Sequence, residues 1–505
     1  MAHSIVHLYG TDPEGENIGQ FKHRVLNPIA LFADHPDFGV FGLSIFEPDF
    51  EEIALNCDLL IIHELTYPEL ESLILLRRSG QKPTLYEIAD DFLALGSWLP
   101  ANHGLFSPMN QSTRLNLAAL ADGIIFSSLG LEQKFADVNQ KKTVLSNYVE
   151  PPANAPKKAD GFVFGWAGTS THSQDLMSVA PEITVFCQTY PHVKFAVMGQ
   201  RSQLEPMFKD IPKHQLIVQD FASYNTYLGF LQGLDVGIAP LLPSTFNQSR
   251  TDVKFVEYTV CNVACLVSAH KIYQPHQSYT KVFSSPSEFL SLLEQLYANP
   301  QIRTDLVTRA TAWVEVNRSK KAIYEQHLHL YRKMLGKTLG SKVSKLTLQT
   351  DLRQQMCMAW QTRAKADHQK TLELTMNLLS QYPLWHQARY LAVLSLQALG
   401  QFRELVLLAE THIDSIYATL IAEIAYIATE KTQPELQPNF YVRLSEMAQL
   451  RLKTPSPQSQ FEIILQHRPY DFFALHGMVH WLEPTDPQLA ILRQRLALLN
   501  PLEKS

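Results

Sequence analysis

Arg250, Lys254 and Glu257 follow one another at steps of four and three residues in Arg250-Thr251-Asp252-Val253-Lys254-Phe255-Val256-Glu257, so a helix here carries two cations and a carboxylate on one face. That set suits a nucleoside diphosphate, because cations neutralise phosphate oxygens and a carboxylate accepts from both hydroxyls of a ribose diol. An ion-paired surface helix has the same spacing, and spacing alone favours it. A second segment, Gly165-Trp166-Ala167-Gly168-Thr169-Ser170-Thr171-His172, follows a short apolar run. Small residues there let the backbone approach an anion, and the hydroxyl of Thr169 and the ring of His172 can donate. The next helix points its unpaired N–H groups at a phosphate, although Ser and Thr before a helix are also its ordinary caps. Asn247 lies on the loop leading to Arg250, and the pair Asp90-Asp91 ends another apolar run. Two adjacent carboxylates can orient an acceptor hydroxyl, invite a divalent metal, or merely cap a loop. Arg24, His63 and His103 fall on further loops of the same kind, where a lone histidine is more often a structural hydrogen bonder than a catalyst.

These residues need a scaffold, and the chain alternates short apolar runs with longer amphipathic ones, the pattern of strand-helix-strand units around a parallel sheet. Strands are expected at Ile5 to Tyr9, Leu59 to His63, Thr84 to Ile88, Gly123 to Ser127 and Thr143 to Ser146, with helices such as Phe21 to Ala33 and Pro68 to Arg78. Three prolines within Glu150 to Lys158 break the pattern and read as a linker. The alternation resumes with strands at Phe162 to Gly165, Val193 to Met198, Leu216 to Val218, Val236 to Ala239 and Cys265 to Ser268. Beyond about Pro300 only helical periodicity remains. The expected organisation is an α/β protein: a domain over residues 1–150, a second over 160–338, and an all-α region over 345–505. In the last, Ala364 to His368 aligns with Ala398 to Phe402 at an offset of 34, which also pairs Trp360 with Leu394, Leu372 with Val406 and Leu379 with Ile413. This is the period of tetratricopeptide helix pairs, and a plain helical bundle fits about as well.

The order of these pieces resembles the GT-B glycosyltransferases, in particular the retaining, bacterial-type group. The resemblance is carried by Gly165-Trp166-Ala167-Gly168-Thr169 with His172, by Leu234 to Leu241, and by Phe246-Asn247 followed by Lys254, Glu257 and Tyr258. In the first half it is carried by Arg24 to Pro28, Tyr86 to Phe92 and Leu145-Ser146-Asn147, and it spans about residues 1–335. It implies two Rossmann-like doubly wound domains facing across a cleft, with helices that cross back to the first domain. It also implies a nucleoside-diphosphate sugar as donor, with Glu257 on its ribose and Lys254 and Arg250 on its diphosphate. Gly168, Thr169, His172 and Asn247 complete the donor side. Asp90, Asp91 and His103 are the catalytic candidates, while Arg24 and His63 stand on the acceptor side. No cofactor or essential metal is implied. Two departures stand out: Ser249 occupies the place of a second glutamate eight residues before Glu257, and the usual basic pair of the first donor loop is replaced by Thr169 and His172.

Composition sets the outer limits. With 505 residues, 46% of them hydrophobic, the chain can fill several cores. Its net charge of −6, from 43 basic and 49 acidic residues, includes no basic block to grip nucleic acid. The five scattered cysteines read as buried thiols rather than a zinc site. The start lacks a signal-like pattern and no apolar stretch is long enough to span a bilayer, so a cytoplasmic protein is expected. The acceptor, whether glycan, lipid or protein, is open, and helical repeats would suit a protein partner. Two other functions share the scaffold: a non-catalytic sugar-nucleotide-binding or scaffold protein, and a nucleotide-sugar epimerase.

Overall fold

The structure is a computed structural model that describes residues 3–10, 19–94, 107–152, 161–221, 223–336, 350–409, 415–432, 457–482 and 485–499. Six strands, β1 (His3–Tyr9), β2 (Phe38–Ser44), β3 (Leu59–His63), β4 (Thr84–Ile88), β5 (Gly123–Phe126) and β6 (Lys142–Val144), form a parallel sheet in the order β2-β1-β3-β4-β5-β6. Six more, β7 (Val163–Ala167), β8 (Lys194–Met198), β9 (Leu216–Gln219), β10 (Val236–Ala239), β11 (Ala264–Ser268) and β12 (Lys281–Phe283), form a second in the order β12-β11-β10-β7-β8-β9. The central strands are apolar on both faces, as a sheet covered by helices on each side requires: Leu59, Leu60, Ile61 and Ile62 are all buried. Two strands were not expected. β2 carries Gly39 and Gly42, which read as turn residues, and β12 is only three residues long.

These are two doubly wound sheets, the GT-B arrangement, followed by helices. The helix Pro300–Asn317 packs on the second domain, and Lys320–Leu335 returns to the first, where Ile323, Leu328, Leu330, Tyr331 and Leu335 share a core with Ile5, Phe32, Leu59 and Ile125. The expected helix near Phe21 runs Gly19–Phe21, then a π turn Lys22–Leu26, then Asn27–Leu31. Proline at 28 explains the wide turn. It has no N–H to bond the carbonyl of Arg24, and the N–H of Asn27 reaches back five residues to Lys22 instead.

The helical region after residue 350 is not a separate lobe. Its buried Leu352, Met356, Leu378, Leu391, Ile421, Leu475 and Leu492 belong to one continuous core with Leu70, Leu73, Leu115 and Ala118 of the first domain. Polar contacts pin the same surface: Ile416 N donates to Glu51 (2.7 Å), Tyr470 N to Asn116 (2.8 Å), and Arg468 pairs with Glu71 (2.9 Å). Among the described residues no helix is long and apolar enough to cross a membrane.

Two helix pairs, Thr350–Ala364 with His368–Gln381 and His386–Ala398 with Phe402–Ala409, begin and end their inner turns 34 residues apart. Ile413, one of the aligned positions, lies outside the described residues. Ala366 and Gly400 occupy the same place in the two turns, with φ of 58° and 73°. Glycine adopts this left-handed conformation without strain, and alanine does not. Ala366→Gly is therefore expected to stabilise the protein by about 0.5–1 kcal/mol, seen as a raised midpoint in denaturant unfolding. A lowered midpoint would contradict the strain.

Candidate functional site

In the second sheet, sequence order reverses between β7 and β10, and ligands of doubly wound sheets bind in the crevice outside such a switch point. The loop after β7 provides Gly168, Thr169 and the turn Ser170–His172, and the loop after β10 provides the short helix Thr245–Gln248. Asp175 ties the two loops together. Its Oδ2 accepts from His172 Nδ1 (2.8 Å), and its Oδ1 accepts from Leu242 N (2.8 Å) and Asn247 Nδ2 (2.8 Å). Since a carboxylate takes the Nδ1 proton, neutral His172 offers Nε2 as an acceptor. Burial holds His172 below its usual pKa, reinforced by Arg250 and Lys254 against the pull of Asp175. Gly168 is required because a Cβ there would lie 2.4 Å from the Trp166 ring.

The helix Val253–Val260 carries Lys254 and Glu257 on one face, but Arg250, expected on the same face, lies three residues before the helix on the loop that leads into it. Glu257 is 4% exposed. Its Oε2 accepts a short bond from Tyr227 (2.6 Å), and Lys254 donates to the same tyrosine oxygen (2.7 Å) and sits 3.4 Å from Glu257. The other oxygen, Oε1, meets only long contacts, His23 Nε2 at 3.4 Å and Tyr224 OH at 3.5 Å. Burial works to raise the Glu257 carboxyl, but Lys254, His23 and Tyr227 outweigh it and hold it at about 2. His23 comes from the π turn of the first domain, so this carboxylate is also a contact between domains.

Across the cleft, Asp90 pairs with Arg250, whose guanidinium also lies over the Phe246 ring. Asp91 is gripped by Lys134 through both oxygens (2.6 Å each) and takes the Ser249 hydroxyl at 3.3 Å. Ser128 donates to the carbonyl of Ser249 (2.6 Å). The aspartate pair, a catalytic candidate from the sequence, thus directly meets the loop of the second sheet that carries Ser249 and Arg250. Burial raises the Asp91 carboxyl against the pull of Lys134.

The other two first-domain candidates meet at Glu87, on β4. Arg24 donates to Glu87, to Leu145 O (2.8 Å) and to Asn147 (2.9 Å), and His63 Nδ1 lies 3.2 Å from the second Glu87 oxygen. His63 Nε2 meets His7 Nδ1 (2.8 Å), and His7 Nε2 meets Tyr331 OH (3.1 Å). With both rings neutral the donors run in one direction, from Tyr331 to His7, His63 and Glu87. Both nitrogens of His63 are committed, which makes it a positioning residue rather than a base. Burial pulls the Glu87 carboxyl up, but Arg24 and His63 bring it to about 2.

Arg24, His63 and Glu87 line one side of a pocket of about 310 Å³. It opens at the switch point of the first sheet, between β1 and β3. His103 lies outside the described residues.

Sequence reasoning missed His23, Glu64, Glu87, Asp175 and Tyr227 as site residues. Asp175 stands three residues after His172, a spacing that could have flagged the pair. The others meet their partners only through the fold.

The sequence matches no family model and no curated protein. Among solved structures, TarM of S. aureus, in complex with UDP and other ligands, shares 12% identity over 54% of this chain, with a TM-score of 0.41, and this chain spans 55% of its length. HepE of Anabaena, in complex with UDP and glucose, shares 13% identity over 66% of this chain and 100% of its own, with a TM-score of 0.47. An OtsA structure shares 12% identity over 67% and 100%, with a TM-score of 0.46.

Two predictions follow from the site's electrostatics and packing. Glu87 and Glu257 sit at about 2 against an ordinary 4.5, and burial holds His327 at about 4 against 6.5. In each window the unfolded chain binds more protons, so stability falls on acidification. Calorimetry is expected to show the melting temperature falling below pH 4.5 as the carboxylate pairs are lost, while between 6.5 and 4.5 the histidine is opposed by Glu69, whose buried carboxyl is pushed up to about 7. A profile flat or rising on acidification below pH 4.5 would refute this.

The second concerns closure. A Cβ on Gly130 would lie 2.5 Å from Gln248 O and 2.9 Å from Ser249 Cα across the cleft, whereas one on Gly229 would meet nothing within 4 Å. Gly130→Ala is expected to enlarge the radius of gyration in small-angle scattering while Gly229→Ala leaves it unchanged; equal radii would show that the contact does not hold the domains together.

Proposed function

We propose that this chain is a glycosyltransferase that moves a sugar from a nucleoside-diphosphate sugar to an acceptor held on the first domain, with retention and without an essential metal. One observation carries the reading. At the switch point of a doubly wound sheet, Asp175 braces two loops beside a helix that offers Lys254 and an ionised Glu257, with Arg250 on the loop just before it. Glu257 Oε1 has only contacts of 3.4 and 3.5 Å, longer than a good hydrogen bond, so a ribose hydroxyl gains by replacing them. Lys254, a quarter exposed in the first turn of the helix, and Arg250 on the loop before it then meet the diphosphate.

The departing nucleoside diphosphate gathers negative charge as the bond to the sugar breaks. Fixed cations and the helix dipole stabilise that charge more in the transition state than in the ground state, which is the condition for rate enhancement. Cations in these positions are what supports the metal-independent reading. Arg250 is shared with Asp90, so donor binding and domain contact compete for one guanidinium. The 34-residue helix pairs read as tetratricopeptide-like, and the core they share with the first domain supports a role for them beside the acceptor.

A second reading is a protein that binds the sugar nucleotide without transferring the sugar. It is favoured by Ser249, which takes the place of a glutamate and spends its hydroxyl on Asp91.

The test is isothermal titration of UDP-, GDP-, dTDP- and ADP-sugars without metal, with Glu257→Ala and Lys254→Ala alongside. One donor is expected to bind saturably, and each substitution to weaken it by roughly tenfold to a hundredfold. Failure of every donor to bind would end the enzyme reading. Binding without turnover of any offered acceptor, including water, would favour the second.

A further inference from the structure

The pocket between β1 and β3 has a chemistry of its own. Tyr9, Phe21 and Tyr67 supply aromatic surface, and Gln20, Glu64 and Glu87 supply polar groups. Its only guanidinium, Arg24, is paired with Glu87 and spends further donors on Leu145 O and Asn147. Among the lining residues two carboxylates face one already paired guanidinium. Arg114, the nearby cation, lies over the Phe92 ring and does not line the pocket. A phosphate or carboxylate placed here would meet the Glu64 carboxyl, on which Arg114 acts only from outside the lining, and would find no unpaired cation among the lining residues.

Glu64 is the partly buried outer end of this arrangement, and burial raises its carboxyl above the usual range. Its φ of 49° is unusual for a residue with a side chain, and the strain is held by Oε1, which accepts from Ala89 N (2.9 Å) and Asp90 N (3.1 Å). Among the described residues its other oxygen, Oε2, accepts only from Gln20, which is solvent-exposed and can move aside. One oxygen is thereby anchored and the other presented. Two of the aromatic walls are in turn held by the C-terminal helices: Arg353 donates to Tyr9 OH (3.3 Å), and the Trp360 ring packs edge-on against Tyr67 at 4.9 Å.

We propose that this pocket binds a neutral, hydroxyl-rich ring, a sugar or polyol bearing no phosphate or carboxylate, with Glu64 and Gln20 bonding its hydroxyls and the aromatic residues covering its apolar face. The C-terminal helices set the pocket's walls through Arg353 and Trp360. Assigning the bound ring as the acceptor rests on the glycosyltransferase reading above; the binding itself does not.

The test is titration of the full chain, free of nucleotide sugar, with D-glucose, D-galactose, myo-inositol and maltose, and with glucose 6-phosphate and glucuronate. At least one neutral ring is expected to bind, at least about tenfold tighter than either anionic sugar. Glu64→Gln, which keeps the side chain's shape, should weaken it about tenfold. Gln20→Ala at the exposed position and Trp360→Ala at the wall should weaken it too. No neutral ring binding, tighter binding of an anionic sugar, or a neutral ring bound equally well by all three variants would overturn the proposal. Because the donor titration is read through Glu257 and Lys254, loss of either result leaves the other standing.

Discussion

One buried anion organises the cleft side of the first domain. Glu87 sits at the end of a central strand, 2% exposed, and takes a guanidinium from the π turn and an imidazole from the neighbouring strand. Through His63 and His7 it reaches Tyr331 on the helix that returns from the second domain, and through Arg24 it reaches Asn147 before the linker. Four segments far apart in sequence are thus registered against one carboxylate. Removing one member of a buried pair strands the other's charge at a cost of about 3–5 kcal/mol, so the group behaves as a unit. The donor side has a smaller counterpart in Asp175, which fixes two loops in the same way.

The two domains meet through the residues expected to do chemistry. His23 with Glu257, Asp90 with Arg250, and Asp91 with Ser249 each join a first-domain group to a donor-side group. Any ligand that claims Arg250 or Glu257 must therefore exchange a domain contact for its own. Binding and domain approach share one set of interactions, which makes the affinity for a ligand inseparable from the relative stability of the domain arrangement it requires.

Most of the scaffold was legible because parallel strands buried on both faces leave unbroken apolar runs, as in Leu59 to His63 and Thr84 to Ile88. β2 was not, because Gly39 and Gly42 weaken a strand signal that pairing with β1 restores. The helix face of Lys254 and Glu257 could be read from spacing, since i to i+3 geometry is local, whereas Arg250 was expected on that face and lies on the loop before the helix. That Glu257 would be met by Tyr227, 30 residues earlier, and by His23, 234 residues earlier, could not. Helical periodicity after residue 350 showed which faces are apolar without showing what they cover, and the shared core with the first domain became visible only in three dimensions.

That shared core bears on synthesis. The second sheet closes its two clusters almost wholly with residues 161–314 and can complete itself as they emerge. The first sheet is made earlier but finished later. One face waits for the helix at 320–335, and the helices on the other face wait for residues 350–499. At 5–20 residues per second, the nascent first domain spends on the order of tens of seconds with leucine- and phenylalanine-rich surface unpaired. The order of the chain thus runs against the order of folding, and the interval belongs to whatever shields nascent apolar surface in the cell.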